Sequence, residues 1–277
     1  MNHDVQPLIQ KSQWLRQSLL ELVARSRKGH LPSSYSCTEI LVSLYYGGVL
    51  QYQHGNPRWE GRDRVVVSKG HAGMAAYPIL ADLGYYSPEE LNKFTKADGI
   101  LRMYPDPSIP GIECSSGSLG HALGVATGWC LAARSEGRSN RAFILLGDGE
   151  LYEGSIWETA IFAAHQRLDN LVAIVDRNGL CIMGETEKLV ELGDVEAKFR
   201  AFGWHAVSCD GHAHTDLLRA FSHLGKTDGK PLAIIANTVK GKGISFMEHK
   251  SGWHNKIPTE AQFEQMRQEL LVNPIHS

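Results

Sequence analysis

The stretch AFILLGDGELYEG, residues 142–154, decides the fold of this chain. It opens with five consecutive apolar residues, as a buried strand does, and passes at once into a turn with glycines at 147 and 149. Three acidic side chains follow within this short turn: Asp148, Glu150 and Glu153. Carboxylates this close repel one another unless something positive lies among them. We therefore expect a buried strand followed by a turn that binds a cation.

Runs of branched apolar residues recur along the chain, and longer helical patterns separate them. The strand-like runs lie at 64–67, 142–146, 171–175, 205–208 and 232–236. Near-continuous apolar runs that alternate with helices indicate a parallel sheet covered on both faces. The predicted fold is α/β, a doubly wound and mostly parallel sheet with helices on both faces. No repeat, low-complexity stretch or linker interrupts the pattern, so we expect one domain over 1–277.

Amphipathic spacing places the helices between these strands. A helical pattern at 38–46 follows a break at Pro32, and a pattern at 195–202 stops at Gly203, a usual glycine after a helix. A final pattern predicts a surface helix. The predicted helices cover 14–27, 38–46, 155–167, 195–202 and 259–271.

Composition excludes several functional classes. The chain has 277 residues, with 28 basic against 30 acidic side chains and a net charge of -2, so it offers no positive field for nucleic acid or anionic lipid. No signal peptide and no apolar run of membrane-spanning length is present, so we expect a cytoplasmic protein. Five scattered cysteines without a Cys-x-x-Cys pair indicate neither a disulfide framework nor a zinc site.

Asp148 and Asn178 follow consecutive predicted strands. A right-handed βαβ unit brings the carboxyl ends of both strands to one edge of the sheet, where ligands of open α/β folds bind. A carboxylate, an amide oxygen and a backbone carbonyl form a partial shell for Mg²⁺ or Ca²⁺, which phosphate oxygens and water complete. Taken alone, Gly-Asp-Gly favours a tight turn capped by its aspartate. The combination with Asn178 favours a metal-bound phosphate.

The whole stretch GDGELYEGSIWETAIFAAHQRLDNLVAIVDRNGL, residues 147–180, resembles the thiamin diphosphate signature in the form found in transketolases. Further motifs match that family in the expected order, which makes coincidence improbable. They are KGHLPSS at 28–34, VSKGHA at 67–72, GSLGHA at 117–122, and TVKGKGIS at 238–245 followed by SGWH at 251–254.

The resemblance implies a role for each matching residue. Asp148, Asn178 and the backbone oxygen of Leu180 would ligate Mg²⁺, with Ca²⁺ or Mn²⁺ as alternatives. Lysine and histidine side chains are donors that offset the charge of a diphosphate. The residues implied to bind thiamin diphosphate are Ser33, His71, Gly117, Ser118, Leu119, Gly149, Asn178, Lys240 and His254.

Three residues are implied to act closer to the reaction. His30 matches a histidine that contacts the sugar, and His254 is a second candidate for moving protons and orienting donor hydroxyls. Glu153 matches a glutamate at the subunit interface. The implied activity is transfer of a two-carbon ketol unit from a ketose, often phosphorylated, to an aldose.

The resemblance covers only the N-terminal, diphosphate-binding portion of a transketolase. The pyrimidine-binding domain, with the glutamate that activates the aminopyrimidine, and the C-terminal domain have no counterpart. We therefore expect a partner chain that carries them, in an α2β2 heterotetramer. The expected function is that of the N-terminal subunit of a split transketolase, with sugars or sugar phosphates as substrates and neither nucleic acid nor membrane as a partner.

Two other interpretations remain open. The chain could belong to another split thiamin enzyme, such as the alpha chain of a 2-oxo-acid dehydrogenase or a deoxyxylulose-phosphate-synthase-like chain, or it could be a non-catalytic regulatory homologue. Three positions depart from the family pattern and leave the sugar open. Tyr104 stands where many transketolases carry His, His121 where Gln is frequent, and Asn255 where Gly is common.

Overall fold

A parallel sheet forms the centre of the molecule. The structure is a computed structural model that describes residues 4–272, so the ends of the expected domain, 1–3 and 273–277, lie outside the described residues. The strands run in the order β1-β2-β3-β5-β4, and every neighbouring pair is parallel. They are β1 (Arg64–Val67), β2 (Ala142–Gly147), β3 (Leu171–Arg177), β4 (His205–Asp210) and β5 (Leu232–Asn237). All five predicted strands are confirmed.

Helices connect and cover the strands, with short 3-10 turns at 70–75, 88–93, 149–152 and 251–253. Among residues 4–272, no helix is both long enough and apolar enough to cross a bilayer. The helices are α1 (Gln6–Ser26), α2 (Leu31–Ser36), α3 (Thr38–Tyr46), α4 (Ala76–Asp82), α5 (Ala122–Ser135), α6 (Gly154–His165), α7 (Thr186–Leu189), α8 (Val195–Ala201), α9 (His214–Phe221) and α10 (Glu260–Val272).

Side chains of each strand alternate between two separate cores, because successive residues of a strand point to opposite faces. On β2, Phe143 and Leu145 pack with α1 to α4, α9 and α10. Ile144 and Leu146 pack with α5, α6 and α8 on the other face. The predicted α/β class, with helices on both faces of a parallel sheet, is confirmed.

Some predicted helix limits were wrong. Pro32 does not break a helix but lies in the first turn of α2, where its missing N–H has no helical partner to lose. Helix α1 begins at Gln6, well before the predicted start, because Pro7 in its first turn and the buried Leu8 extend the helix toward the N-terminus.

Helix α10 is not the surface helix that its pattern predicted. Phe263, Met266 and Leu270 are buried against the α1 side of the core. Gln13 Nε2 on α1 donates to the Leu270 carbonyl oxygen at 3.0 Å, and Arg267 pairs with Glu21 at 2.8 Å. The helix is an integral part of this face.

The β2-α6-β3 unit positions the candidate site. Gly147 at the end of β2 pairs in register with Asp176 of β3, and α6 crosses between the two strands. The residues that follow these strands, Asp148 and Asn178, therefore emerge at the same edge of the sheet.

We predict that Phe263→Ala lowers the free energy of unfolding by about 3–5 kcal/mol, since it removes a fully buried ring and leaves a cavity. Leu271→Ala, further along the same helix, should change it by less than about 0.5 kcal/mol. Leu271 is 60 % exposed, whereas Phe263 is 0 % exposed. Urea unfolding followed by circular dichroism measures both. Equal effects of the two substitutions would show that α10 is not part of the core.

Candidate functional site

A cavity of about 570 Å³ lies at the carboxyl edge of the sheet. Residues that follow four different strands line it: Lys69 after β1, Asp148 after β2, Asn178 after β3 and Lys240 after β5. The predicted site residues on its wall are Ser33, His71, Leu119, Asp148, Gly149, Asn178, Leu180, Lys240 and His254. The predicted residues outside this wall are His30, Gly117, Ser118 and Glu153.

Asp148 is buried at the base of the cavity and bonded to the turn that contains Asn178. Its Oδ2 accepts the backbone N–H of Gly179 at 2.6 Å, and its Oδ1 accepts that of Gly149 at 2.8 Å. The Arg177 guanidinium is 3.4 Å from Oδ2. Burial and the neighbouring Asp176 charge nevertheless raise the pKa of Asp148 to about 6. A cation at this position would stabilise the ionised carboxylate.

The Asn178 amide is held in one orientation. Its Nδ2 donates to the backbone oxygen and to the carboxylate of Asp176, each at 3.3 Å, and its Oδ1 accepts the Leu180 N–H at 3.1 Å. The carbonyl oxygen of Leu180 accepts from Lys240 Nζ at 3.4 Å. A carboxylate, an amide oxygen and a carbonyl oxygen thus surround one turn. These hard oxygen donors suit Mg²⁺, with its remaining positions left for phosphate and water.

A buried ion pair that the sequence reasoning did not assign supports this turn. Lys69 Nζ forms an ion pair with Asp176 and donates to the Ser33 carbonyl oxygen at 2.9 Å. Asp176 also accepts the hydroxyls of Ser36 and Thr238, so its carboxylate is fully paired although it is buried. The available signal was an acidic residue at the end of the otherwise apolar β3.

Lys240 places a second positive group on the cavity wall. Its side chain is buried, and its Nζ lies 3.0 Å from His254 Nδ1. Burial and the nearby Lys69 charge lower the pKa of Lys240 to about 8. A bound diphosphate would offset the two lysine charges and favour the protonated form of Lys240.

Three histidines cluster beside this lysine. The ring centroid of His71 is 4.9 Å from that of His254, and the His30 centroid is 5.6 and 5.4 Å from those of His71 and His254. Burial and neighbouring positive charge lower the pKa of His30, that of His71 to about 2 and that of His254 to about 4. All three are therefore neutral at pH 7, as exchange of protons with a substrate requires.

Two buried polar atoms beside the cavity have no hydrogen-bond partner among residues 4–272. They are His30 Nδ1 and Ser33 Oγ. Buried polar atoms in folded proteins are nearly always hydrogen-bonded, so unpaired ones at a cavity point to a ligand. Together with the oxygen donors and the two lysines, they fit a bound molecule that carries a metal-linked diphosphate.

The loop with Gly117, Ser118 and Leu119 lies against the turn at Gly70. A Cβ on Gly70 would meet the Gly117 backbone nitrogen at 2.5 Å, and one on Gly117, where φ is +112°, would meet the Tyr104 ring at 3.0 Å. Only Leu119 of this loop reaches the cavity wall. The Ser118 hydroxyl is 3.2 Å from Nδ1 of the exposed His121.

Tyr104 stands beside the histidine cluster. Its side chain is 46 % exposed, and its ring centroid is 6.4 Å from that of His30. A phenol therefore occupies a position from which it can contact a molecule that reaches the three histidines.

The three carboxylates of the glycine-rich turn do not converge as expected. Asp148 faces the cavity and Glu153 is exposed at the start of α6. Glu150, which we expected only to favour the next helix N-terminus, is buried and accepts bonds from Ser68, from the Gly120 N–H at 2.9 Å and from the Gly147 N–H at 3.1 Å. Repulsion is avoided because each carboxylate has a different direction and a different environment.

Exposed apolar side chains surround the cavity mouth, another feature that sequence reasoning missed. Met183 is 79 % exposed and Ile182 and Val190 more than half exposed. All three line the opening of the cavity. Clustered exposed apolar groups of this kind mark surfaces that a ligand or another protein covers.

Comparison with known proteins identifies the family. Residues 10–277 match the family model described as "Transketolase, thiamine diphosphate binding domain". The chain is 37 % identical to one of the two subunit types of apulose-4-phosphate transketolase from Phocaeicola vulgatus, over 96 % of this chain and 94 % of that protein. It is 39 % identical to 6-deoxy-6-sulfo-D-fructose transketolase subunit SqwG of Clostridium sp., over 92 % of this chain and 93 % of that one.

Full-length transketolases match over the same region. Human transketolase is 37 % identical over 92 % of this chain, which corresponds to 41 % of the human protein. A transketolase crystal structure from Campylobacter jejuni superposes with a TM-score of 0.90 at 29 % identity, over 100 % of this chain and 44 % of that one. The chain therefore belongs to the transketolase family, whose thiamin diphosphate-binding domain it carries.

Proposed function

We propose that this chain is the N-terminal subunit of a split transketolase, which transfers a two-carbon ketol unit from a ketose to an aldose. The observation that carries the proposal is the pairing, in one cavity, of an oxygen-lined turn with two buried lysines. The turn supplies Asp148, Asn178 and the Leu180 carbonyl, and the lysines are Lys69 and Lys240. A diphosphate linked to a divalent cation is complementary to both.

Thiamin diphosphate, when bound, supplies the electron sink that lets a bond between two ketose carbons break and re-form. Asp148, Asn178 and Leu180 would hold Mg²⁺, or Ca²⁺ or Mn²⁺ in its place. Lys240, His71 and Gly149 would bind the diphosphate end. Ser33 Oγ, which lines the cavity and lacks a partner among the described residues, would gain one from the cofactor.

The histidine cluster would handle protons of the sugar. His30 and His254 are neutral at pH 7, so each can accept a proton from a hydroxyl at one ring nitrogen and return it later. The unpaired Nδ1 of His30 is available for such a contact. Gly117, Ser118 and Leu119 would form a backbone wall beside the cofactor, with Tyr104 next to the sugar.

An anionic ketose is the proposed donor class. The two relatives of nearly equal length are named for a phosphorylated sugar and for a sulfonated sugar, so both names describe a ketose with an acidic group. Tyr104 and His121 would shape the selectivity of the present chain within that class.

A partner chain with the pyrimidine-binding domain would complete the site, in an α2β2 heterotetramer. The named bacterial relatives are subunits, and this chain spans less than half of the full-length transketolases. The exposed apolar rim of Ile182, Met183 and Val190 supplies a surface for that partner to cover. Glu153, exposed at the start of α6, would lie at a subunit interface.

We predict that Asp148→Ala abolishes Mg²⁺-dependent binding of thiamin diphosphate, because the turn loses its carboxylate ligand. Isothermal titration with and without Mg²⁺ measures the effect. Asp98→Ala removes the same charge from an exposed loop outside the cavity wall and should leave binding unchanged. Unchanged cofactor affinity in the Asp148→Ala chain would show that the metal assignment is wrong.

We predict that the purified chain alone binds thiamin diphosphate weakly and turns over no ketose. Addition of a C-terminal transketolase subunit should restore glycolaldehyde transfer, measured by a coupled assay for the aldose product. Robust activity of the isolated chain would refute the split-enzyme proposal. Metal-dependent cofactor binding without activity in every reconstituted complex would favour a non-catalytic homologue, and decarboxylation of a 2-oxo acid by the complex would favour a dehydrogenase subunit.

A further inference from the structure

A buried ionic network lies behind the cavity wall and has no part in the site described above. Arg16 Nη2 donates to Glu39 Oε2 at 2.8 Å, and His212 Nδ1 lies 2.8 Å from the same oxygen. All three side chains are buried. Burial alone would raise the pKa of Glu39, but the Arg16 charge and the hydrogen bonds from His212 and Arg16 hold it well below its usual range. The carboxylate is therefore ionised and paired on both sides.

The second contact of His212 fixes its tautomer. The backbone N–H of Val239 donates to His212 Nε2 at 2.8 Å. An amide nitrogen only donates, so Nε2 carries no proton and the proton of the neutral ring is on Nδ1. Nδ1 then donates to Glu39. His212 thus connects a fixed carboxylate to the residue directly before Lys240, as an outer-shell group does for a metal ligand.

The same network holds the chain on the other side of Lys240. Arg16 Nε donates to the carbonyl oxygen of Lys242 at 3.3 Å. Between these two points the Gly241 N–H donates to the Pro32 carbonyl oxygen at 2.9 Å. The backbone of 239–242 is therefore fixed at three places around the lysine.

The turn itself leaves no room for an alternative path. Gly241 has a φ of +83°, and a Cβ there would meet the backbone carbon and oxygen of Met247 at 2.8 Å. From this turn the buried Lys240 side chain reaches Leu180 O at 3.4 Å and His254 Nδ1 at 3.0 Å. Contacts of this length fail when the backbone moves by about 1 Å.

We propose that His212, supported by Glu39 and Arg16, is a positioning residue for the cofactor site: it holds the Val239 amide and thereby places the Lys240 ammonium against the cavity. The identity of the ligand rests on the proposed function. The positioning of the Lys240 segment is a property of the ligand-free chain and can be measured without any cofactor.

Two substitutions separate the contacts of His212. His212→Asn keeps a donor near the position of Nδ1, next to Glu39, but loses the acceptor for Val239. His212→Gln places an amide oxygen near the position of Nε2 and can accept the Val239 N–H again. In the ligand-free full chain, hydrogen exchange of the Val239 amide should therefore accelerate in His212→Asn and return toward the wild-type rate in His212→Gln.

Cofactor affinity should follow the same order. We expect the Kd for thiamin diphosphate, with Mg²⁺ present, to rise roughly tenfold in His212→Asn, the lower end of the effect of losing an outer-shell partner. His212→Gln should recover most of that loss. A purely structural role for His212 would make both substitutions lower stability without this split in affinity.

His214 provides a matched control two residues along the chain. It is also a buried histidine, but its ring lies 3.1 Å from Ser12 Oγ and 2.7 Å from Ser43 Oγ, on the α1 and α3 side of the fold. His214→Asn should destabilise the core while Val239 exchange and cofactor affinity stay at wild-type values.

Equal behaviour of His212→Asn and His214→Asn, or an undisturbed Val239 amide in His212→Asn, would overturn the positioning role. If the wild-type chain binds no thiamin diphosphate, the proposed function fails. The exchange comparison then still decides whether His212 holds the Lys240 segment.

Discussion

The site depends on one constraint: parallel strands joined by a crossover helix end at the same edge of the sheet. The in-register pairing of Gly147 with Asp176 brings Asp148 next to the turn after β3, and the bond from the Gly179 N–H to Asp148 Oδ2 ties the two strand ends together. The Lys69–Asp176 ion pair underneath then orients the Asn178 amide. Sequence distance is long, but the backbone path leaves these groups little freedom.

The electrostatics of the cavity fit a ligand that has both signs of charge. Asp148 has a raised pKa, whereas Lys240 and the three histidines have lowered ones, and burial is the leading cause in each case. The ligand-free site therefore holds groups whose charged forms are poorly stabilised. A cation next to Asp148 and an anion next to Lys240 would relieve both penalties at once.

The sequence predicted the strands and the fold class well because apolar runs of branched residues report directly on burial in a parallel sheet. It also predicted that Asp148 and Asn178 meet, since that follows from strand order. It failed where a residue's partner is distant in sequence. Glu150 bonds to Ser68 and Gly120, and the apolar face of α10 packs on α1, and neither contact leaves a local pattern.

The most direct test of the proposed site is a crystal structure of the chain with Mg²⁺, thiamin diphosphate and its partner chain. We expect an ion bound by Asp148, by Asn178 Oδ1 and by the Leu180 carbonyl oxygen, with the cofactor's phosphate oxygens completing the shell at about 2.0–2.1 Å. An ion bound elsewhere, or Asp148 and Asn178 turned away from a bound diphosphate, would contradict the assignment.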